Sequence, residues 1–325
     1  MTGRFCHFVT SIKRVISALT ITCLGVWLTA CGQTNTPDAP PKSNESVHNA
    51  ALTSDNITAN QQIIETITEA YQHALTSARE LLNATQHLID KPSPSTLESA
   101  RLAWQKSHDD YLLAQVSQSL AISHPVLDSP LSEDNDVVGH TLEIRIDQYP
   151  ALPGYLDSVK GYPQSGLIHA EVELSIETLL NEHQLSDTAY VALGFHALEV
   201  MLFGESTDSD ARYQDFISNT QKSSVIDAAK RRQALSLLLA QQIADDLALR
   251  AEAWRSEDGY YRKFILTLAN STLQDMLRTA LETEQNTQQT RSEHVPSEII
   301  GQRLQILERL LVPNETSDKA TPEEK

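Results

Sequence analysis

The sequence predicts an all-α fold, an antiparallel helical bundle, and three observations lead to this prediction. Apolar residues recur at steps of three and four through most of residues 59–311, which is the period of an amphipathic helix. No stretch alternates apolar and polar residues as a half-buried strand would. Short breaks that contain proline or glycine separate the helical stretches, so consecutive helices are expected to pack as antiparallel neighbours.

The chain begins with two segments that predict targeting rather than a folded core. Residues 1–30 join a basic start to an apolar run, which is the pattern of a signal peptide. The run ends in Leu28-Thr29-Ala30-Cys31-Gly32. This stretch resembles a bacterial lipobox, in which Cys31 becomes the lipidated first residue and anchors the protein to a membrane. An ordinary cleaved signal and an uncleaved anchor are the alternatives. Residues 31–58 are rich in Thr, Asn, Ser and Pro and predict a flexible tether.

The charge and the cysteines of the chain exclude several possibilities. The formal net charge is -18 at pH 7, so the surface repels nucleic acid and anionic lipid, and neither is an expected partner. Of the three cysteines, Cys6 and Cys23 lie in the signal segment. A mature chain with Cys31 alone forms no internal disulfide, so a hydrophobic core must stabilise it.

The first two helices are predicted from periodicity and from breaks. The first starts near Asn60 and ends where Lys91-Pro92-Ser93-Pro94 interrupts the period. Ser95 and Glu98 have the spacing of a capping box that opens the second helix. Residues 122–166 then predict a long irregular connection, which could fold over a later helix and supply ligands, or form a packed structural crossover. Its candidate side chains are His124, His140, Glu143, Arg145 and Asp147.

Further helical stretches follow this connection. A short helix is predicted around residues 170–180, and Ser186 is the predicted N-cap of a central helix that ends at Gly204. Residues 312–325 predict a disordered tail because they are polar. Longer helices are predicted at about 224–254, at about 259–283 and after Pro296.

The central helix carries the strongest candidate for a functional site. Residues 193–203 are apolar almost throughout, yet they include His196 and Glu199 three positions apart. Positions i and i+3 share a helix face, so the two side chains can converge as half of a site for a divalent metal. A buried pair that only fixes helix packing is the alternative. The zinc-peptidase motif His-Glu-x-x-His is absent, because Val200 stands where its second histidine would be.

Several stretches together resemble the imelysin family, also called imelysin-like peptidases. Gly194-x-His196-x-x-Glu199 matches the family signature, and flanking elements agree with the family in order over about residues 60–311. The resemblance implies two fused four-helix-type bundles, with His196 and Glu199 as the metal ligands. Seven further candidate site residues lie at positions that match the family pattern: Gly194, Arg101, Trp104, Arg145, Asp147, Arg212 and Asp215.

The sequence departs from the family pattern at two places. Gln115 stands where family members often carry a glutamate, and a neutral amide binds a divalent cation less well than a carboxylate does. The His-Ser-x-Phe-Ser-Asp stretch of longer imelysins has no clear counterpart near the C-terminus. With Gln115, the metal site is therefore expected to be weaker than in those family members, or changed in use.

The resemblance implies a cell-envelope protein that binds a divalent metal or an iron-bearing ligand, with a role in iron uptake. Iron is the favoured metal, zinc is the alternative, and components of iron uptake are the implied partners. Gly32 after Cys31 resembles the pattern of an outer-membrane lipoprotein that faces the periplasm. A metal-dependent peptidase with Glu199 as ligand or base ranks second, because the motif lacks a third ligand. A non-catalytic structural or partner-binding helical lipoprotein is the third interpretation.

Overall fold

The computed structural model describes residues 54–123, 142–205, 211–218, 226–290 and 295–311. Within these ranges the fold is all-α, as predicted, and its only β-type pairing is an isolated bridge between Val159 and Tyr162. No helix in these ranges is both long and apolar enough to cross a membrane. The signal segment, tether residues 31–53 with Cys31, and the C-terminal tail lie outside the described residues, so those assignments stay predictions. The last five residues of the predicted tether, 54–58, are helical and begin the first helix.

Two long helices begin the described fold. α1 (Ser54–Asp90) and α2 (Pro94–Ala114) pack along each other across a short turn. The Ser93 hydroxyl accepts a hydrogen bond from the Thr96 backbone N–H, and the Thr96 hydroxyl accepts one from the Ser93 N–H. The predicted Ser95–Glu98 cap was therefore wrong by two residues. The physical reason is Pro94, whose fixed φ suits the first position of a helix and whose missing N–H costs nothing there.

The long connection contains short helices of its own. After α3 (Val116–Ser123), residues 124–141 lie outside the described part of the chain, and so do the candidates His124 and His140. The connection resumes with α4 (Leu142–Ile146) and α5 (Pro153–Leu156), then a 3-10 turn at Leu167–His169. It leads through α6 (Ile176–Glu182) to the central helix α7 (Gly194–Phe203).

The N-cap predicted for the central helix was wrong. The Ser175 hydroxyl caps α6 by accepting from the Thr178 N–H, whereas the N-cap residue of α7 is Leu193 and no side chain caps it. Ser186 is too far from α7 to cap it, because the chain between them is not helical. The predicted end of α7 is confirmed, since Gly204 is its C-cap residue with a φ of +71°.

The C-terminal half consists of α8 (Ala228–Arg255), α9 (Tyr260–Thr267), α10 (Asn270–Thr290) and α11 (Ser297–Leu311). The single helix predicted at about 259–283 is divided between α9 and α10. Asn60 on α1 explains the break, because its side-chain amide donates to the carbonyl oxygens of Ile265 and Leu268 at 2.7 and 3.0 Å. A buried amide thus satisfies carbonyls at the end of α9 that a continuous helix would satisfy itself.

The helices form two packed groups. α1, α2, α7 and α8 make the first group, and α3, α10 and α11 make the second. One continuous hydrophobic core joins them. The prediction was two fused bundles of the four-helix type. Among the described residues, the first group has four helices and the second has three. The first group matters for function, because α7 lies in it with eight of its residues buried.

Candidate metal centre

The site depends on the backbone of Gly194, the first residue of α7. Gly194 has a φ of +82°, in the left-handed region that residues with a Cβ rarely adopt. A Cβ at this position would overlap the backbone carbonyl oxygens of Arg145 and Ile146 at the end of α4. The glycine therefore allows α7 to begin directly against α4, and this approach places His196 beside Asp147.

Three side chains from separate elements meet at this point. His108 on α2, Asp147 just after α4 and His196 on α7 each offer one ligand atom, and these atoms lie within 4.8 Å of one another. His108 Nε2 donates to Asp147 Oδ1 at 3.0 Å, and His196 Nε2 lies 3.2 Å from the same oxygen. The three side chains are 10–11% exposed. We call them the His108–Asp147–His196 cluster.

The spacing of this cluster fits a metal ion. Two ligand atoms that each lie about 2.1 Å from one ion are about 3.0 Å apart at a right angle and about 3.4 Å apart at a tetrahedral angle. The two separations that involve Asp147 Oδ1, 3.0 and 3.2 Å, fall within this range, and all three ligand atoms lie within 4.8 Å of one another. Two imidazoles and one carboxylate suit iron and zinc and leave coordination positions open. The described residues can therefore hold a metal ion through three protein ligands.

Glu199 lies on the other side of the His196 ring. Its Oε2 accepts from His196 Nδ1 at 2.7 Å, whereas Nε2 faces Asp147. A carboxylate bound to the remote nitrogen fixes the orientation of a ligating histidine and makes it a better ligand. The prediction that Glu199 is itself a ligand stays a prediction. The position of Glu199 at Nδ1 favours a role in orienting His196.

The charges in the site are strongly coupled. Burial raises the pKa of Asp147, but hydrogen bonds from His108 and His196 outweigh burial and hold that pKa well below its usual range. Burial lowers the pKa of His196, but hydrogen bonds to Asp147 and Glu199 outweigh it and raise that pKa to about 9. At pH 7 the His196 ring is therefore an imidazolium that donates from both nitrogens. A metal ion at Nε2 must displace a proton.

Aromatic side chains pack around the two imidazoles. The Trp104 indole Nε1 donates to the Phe195 carbonyl oxygen at 2.9 Å, which joins α2 to α7. The Phe195 ring lies 5.0 Å from the His108 ring, and the Tyr149 ring lies 5.0 Å edge-on to His196, both measured between centroids. These contacts restrict the rotation of both imidazoles.

Two arginines hold the C-terminal end of α7. Arg101 on α2 donates to the Leu202 carbonyl oxygen at 3.1 and 3.2 Å, and Arg212 donates to Met201 O at 3.0 and 3.1 Å. These carbonyls end the helix and have no partner within it, and a positive charge suits this end of the helix dipole. Both arginines thus stabilise the helix that carries His196.

Arg212 is itself held by a buried carboxylate. Asp157 Oδ2 accepts from Arg212 at 2.5 Å, and both Asp157 oxygens accept from Arg232 on α8 at 2.7 Å. Burial raises the pKa of Asp157, but the two guanidinium groups outweigh burial and lower it. Asp215 pairs with Arg212 from the exposed side at 2.8 Å. The candidates Arg212 and Asp215 therefore support α7 rather than join the cluster.

Two ion pairs hold α4 on α8. Arg145 pairs with the buried Asp246, and Glu143 pairs with the buried Arg250. Asp147 follows α4 directly, so these pairs fix the segment that carries the carboxylate of the cluster. Arg145 is thus a supporting residue in the described structure.

Gln115 contacts the second group of helices. Its side-chain oxygen accepts from Arg303 on α11 at 3.0 Å. Arg303 also donates to the Leu112 carbonyl oxygen and pairs with the buried Glu284. The amide that replaces the family's glutamate therefore takes part in a buried polar contact between the two groups of helices.

An open cleft of about 550 Å³ reaches the site from the surface. His196, Glu199, Arg101 and Phe203 line this cleft. Leu102 and Tyr149 also line it and are 57% and 48% exposed.

The Imelysin family model matches residues 67–305, which is well over half of the chain and includes the whole site. The chain belongs to the imelysin family. No curated protein matches it.

Sequence reasoning found part of this imelysin site and missed one member. It named Asp147 and His196 as candidates, and the structure brings them together. It missed His108, although a signal was present. His108 follows Trp104 by four positions and precedes Tyr111 by three, so the three share one face of α2. A histidine on the face that carries two aromatic residues was a candidate for a ligand.

Proposed function

We propose that this imelysin binds a divalent metal ion, with iron favoured, through His108, Asp147 and His196. The observation that carries the proposal is the meeting of two imidazoles and one carboxylate from three separate elements. Sequence spacing alone offered only two candidate ligands on one helix. Two histidines and a carboxylate with open positions are the typical ligand set of non-haem ferrous iron, and zinc also accepts such a set.

The proposed setting is the bacterial cell envelope. The lipobox-like stretch supports a lipid anchor on Cys31, and the pattern of the following residue supports the outer membrane with the domain in the periplasm. Family membership supports a role in iron uptake, with uptake components as partners. In this proposal the protein holds the metal outside the inner membrane for the next component of the uptake system.

The first test is calorimetric titration of the purified protein with ferrous iron under anaerobic conditions, and with zinc. We expect one saturable site in the parent protein. Asp147→Asn and His196→Ala are each expected to raise the dissociation constant by about 100-fold or more, because each removes one of three ligands. Glu199→Gln is expected to raise it by about 10- to 100-fold, because it disturbs only the orientation of His196. Equal affinity in parent and His196→Ala would contradict the proposal.

Metal affinity is expected to rise with pH. The pKa of His196 is about 9, so binding at neutral pH releases the proton from Nε2. Affinity rises with pH because fewer protons compete with the metal ion for His196 Nε2 as the pH rises. Affinity should increase by about tenfold per pH unit between about pH 7 and pH 9 and level off above it. Titrations in buffers of different ionisation enthalpy should show about one proton released per metal at pH 7.

A metal-dependent peptidase is the second candidate function, and one observation favours it. The absent third ligand counted against this activity, and the cluster supplies three ligands beside an open cleft, which is the arrangement of catalytic zinc sites. The test is cleavage of an unstructured protein by the zinc-loaded enzyme. Activity that is lost in a folded His108→Ala variant would support the peptidase, and equal activity in that variant would exclude this site as its source.

A further inference from the structure

A third buried histidine joins the two segments that carry Asp147 and His196. His183 is the C-cap residue of α6 and is fully buried. Its Nε2 lies 3.2 Å from the carbonyl oxygen of Ile144 on α4, and its Nδ1 accepts from the Ala192 backbone N–H at 3.1 Å. The first contact is three positions before Asp147, and the second is four positions before His196. The His183 ring therefore bridges the two ligand-bearing segments.

The two hydrogen bonds fix the protonation state of the His183 ring. A carbonyl oxygen only accepts, so Nε2 carries a proton, and a backbone N–H only donates, so Nδ1 carries a lone pair. The imidazole is therefore neutral and donates on one side while it accepts on the other. Ile144 lies in the last turn of α4, where carbonyl groups lack partners within the helix. The ring thus satisfies a carbonyl of α4 and a backbone N–H of the next segment at once.

The turn that follows His183 has an uncommon backbone. Gln184 has a φ of +58°, in the left-handed region that residues with a Cβ rarely adopt. Its backbone N–H donates to the Tyr190 carbonyl oxygen at 2.8 Å, which closes the turn. Backbone conformations of this kind persist only where the surrounding structure requires them, and they concentrate at functional sites. Here the turn reverses the chain, so that Ala192 returns to the ring of His183.

The cluster needs a contact that holds α4 against α7. The missing Cβ of Gly194 permits the approach of the two helices, but a missing atom holds nothing in place. The ion pairs of α4 described above join it to α8, not to α7. Metal ligands must be held within about 0.5 Å of their productive positions. The hydrogen bonds of His183 join the segment before α7 to α4 itself, and Asp147 follows α4 directly.

We infer that His183 is a positioning residue of the metal centre, whose neutral ring ties α4 to the start of α7 and holds Asp147 beside His196. This inference rests on the proposed function and adds a residue that acts through the backbone of both ligand-bearing segments. Spacing along the chain could not predict this role, because Ile144 lies 39 positions from His183.

The test is calorimetric titration of zinc into the parent protein, His183→Asn and His183→Gln. The asparagine amide reaches the position of Nδ1 and the glutamine amide reaches that of Nε2, so each variant keeps one hydrogen bond and breaks the bridge. Each is expected to raise the dissociation constant for zinc by about tenfold, because a metal ligand loses a group that orients it. With cobalt(II) as the probe, the visible absorption bands should also change, because they report the geometry of the ligands.

The matched control is Asn60→Ala. Asn60 is also fully buried, and its side chain also makes two hydrogen bonds to the backbone, at the end of α9. This variant should lose stability in urea denaturation but keep the zinc affinity and the cobalt spectrum of the parent.

The outcomes separate the inference from the proposed function. Parent-like zinc affinity and cobalt spectra in both folded His183 variants would overturn the inference and leave the proposed function standing. An equal loss of zinc affinity in Asn60→Ala would overturn it as well, because the effect would then follow from stability alone. Failure of the parent protein to bind zinc is a different result and counts against the proposed function, on which the inference rests.

Discussion

Replacing Gly194 with alanine is expected to lower the free energy of unfolding by about 2–5 kcal/mol. Two costs combine: the left-handed backbone at φ +82° costs about 1–2 kcal/mol for a residue with a Cβ, and overlap with the Arg145 and Ile146 carbonyl oxygens costs about 1–3 kcal/mol more. Denaturant unfolding measures the loss. The same overlap pushes α7 away from Asp147, so the dissociation constant for zinc should rise by about tenfold or more.

The matched control for this prediction is Gly301→Ala. Gly301 lies within α11, and a Cβ added there meets no atom within 4 Å. Alanine in a helix interior is favoured over glycine by about 0.5–1 kcal/mol, so this variant should be neutral or slightly more stable. A Gly194→Ala variant that loses less than about 1 kcal/mol and keeps full zinc affinity would contradict the role given to this glycine.

Replacing Asp157 with asparagine is expected to cost about 3–5 kcal/mol. The Asp157 carboxylate is 1% exposed and accepts hydrogen bonds from both Arg212 and Arg232. Its loss leaves two guanidinium groups without their buried counter-ion, and breaking a buried pair in this way is strongly destabilising. Urea denaturation at pH 7 measures the cost. The matched control is Asp215→Asn, which removes a half-exposed partner of the same Arg212 and should change stability by less than about 1 kcal/mol.

The effect of Asp157→Asn should depend on pH in one direction. The pKa of Asp157 lies below its ordinary value of 3.8, so the folded state favours the ionised carboxylate. This stabilisation is fully present above the unfolded pKa and is lost as the pH falls through the lower, folded pKa. The stability difference between the parent and Asp157→Asn should therefore shrink below about pH 4. A difference that stays constant down to pH 2 would show that the charge is not its source.

Much of the fold could be predicted because local patterns decide it. The apolar period marks α1, α8 and α11, and Gly204 ends α7 as a glycine with positive φ should. The breaks were harder to predict where a distant residue causes them. The division between α9 and α10 involves the Asn60 amide more than 200 positions away in sequence. The local signal is limited to Asn270-Ser271-Thr272, residue types that are favoured at helix starts.

The site could be predicted only where its members share one element. His196 and Glu199 lie on one helix, and their i,i+3 spacing predicts their contact. Which nitrogen of His196 faces Glu199 depends on the position of α4, and so does the arrival of Asp147 at the other nitrogen. His108 comes from α2, 88 positions before His196. This convergence depends on the close approach of the α7 backbone to α4 at Gly194. Spacing along the chain cannot predict that approach.

The central claim is that two histidines and one aspartate hold the metal. X-ray absorption spectroscopy of the zinc-loaded protein tests it most directly, because the multiple scattering of imidazole rings gives the number of histidine ligands. We predict two imidazoles in the parent protein, one in His108→Ala, and two in Glu199→Gln. One imidazole in the parent would contradict the claim and leave the His196–Glu199 pair as the site. An unchanged spectrum in His108→Ala would contradict it as well, because it would show that His108 is not a ligand.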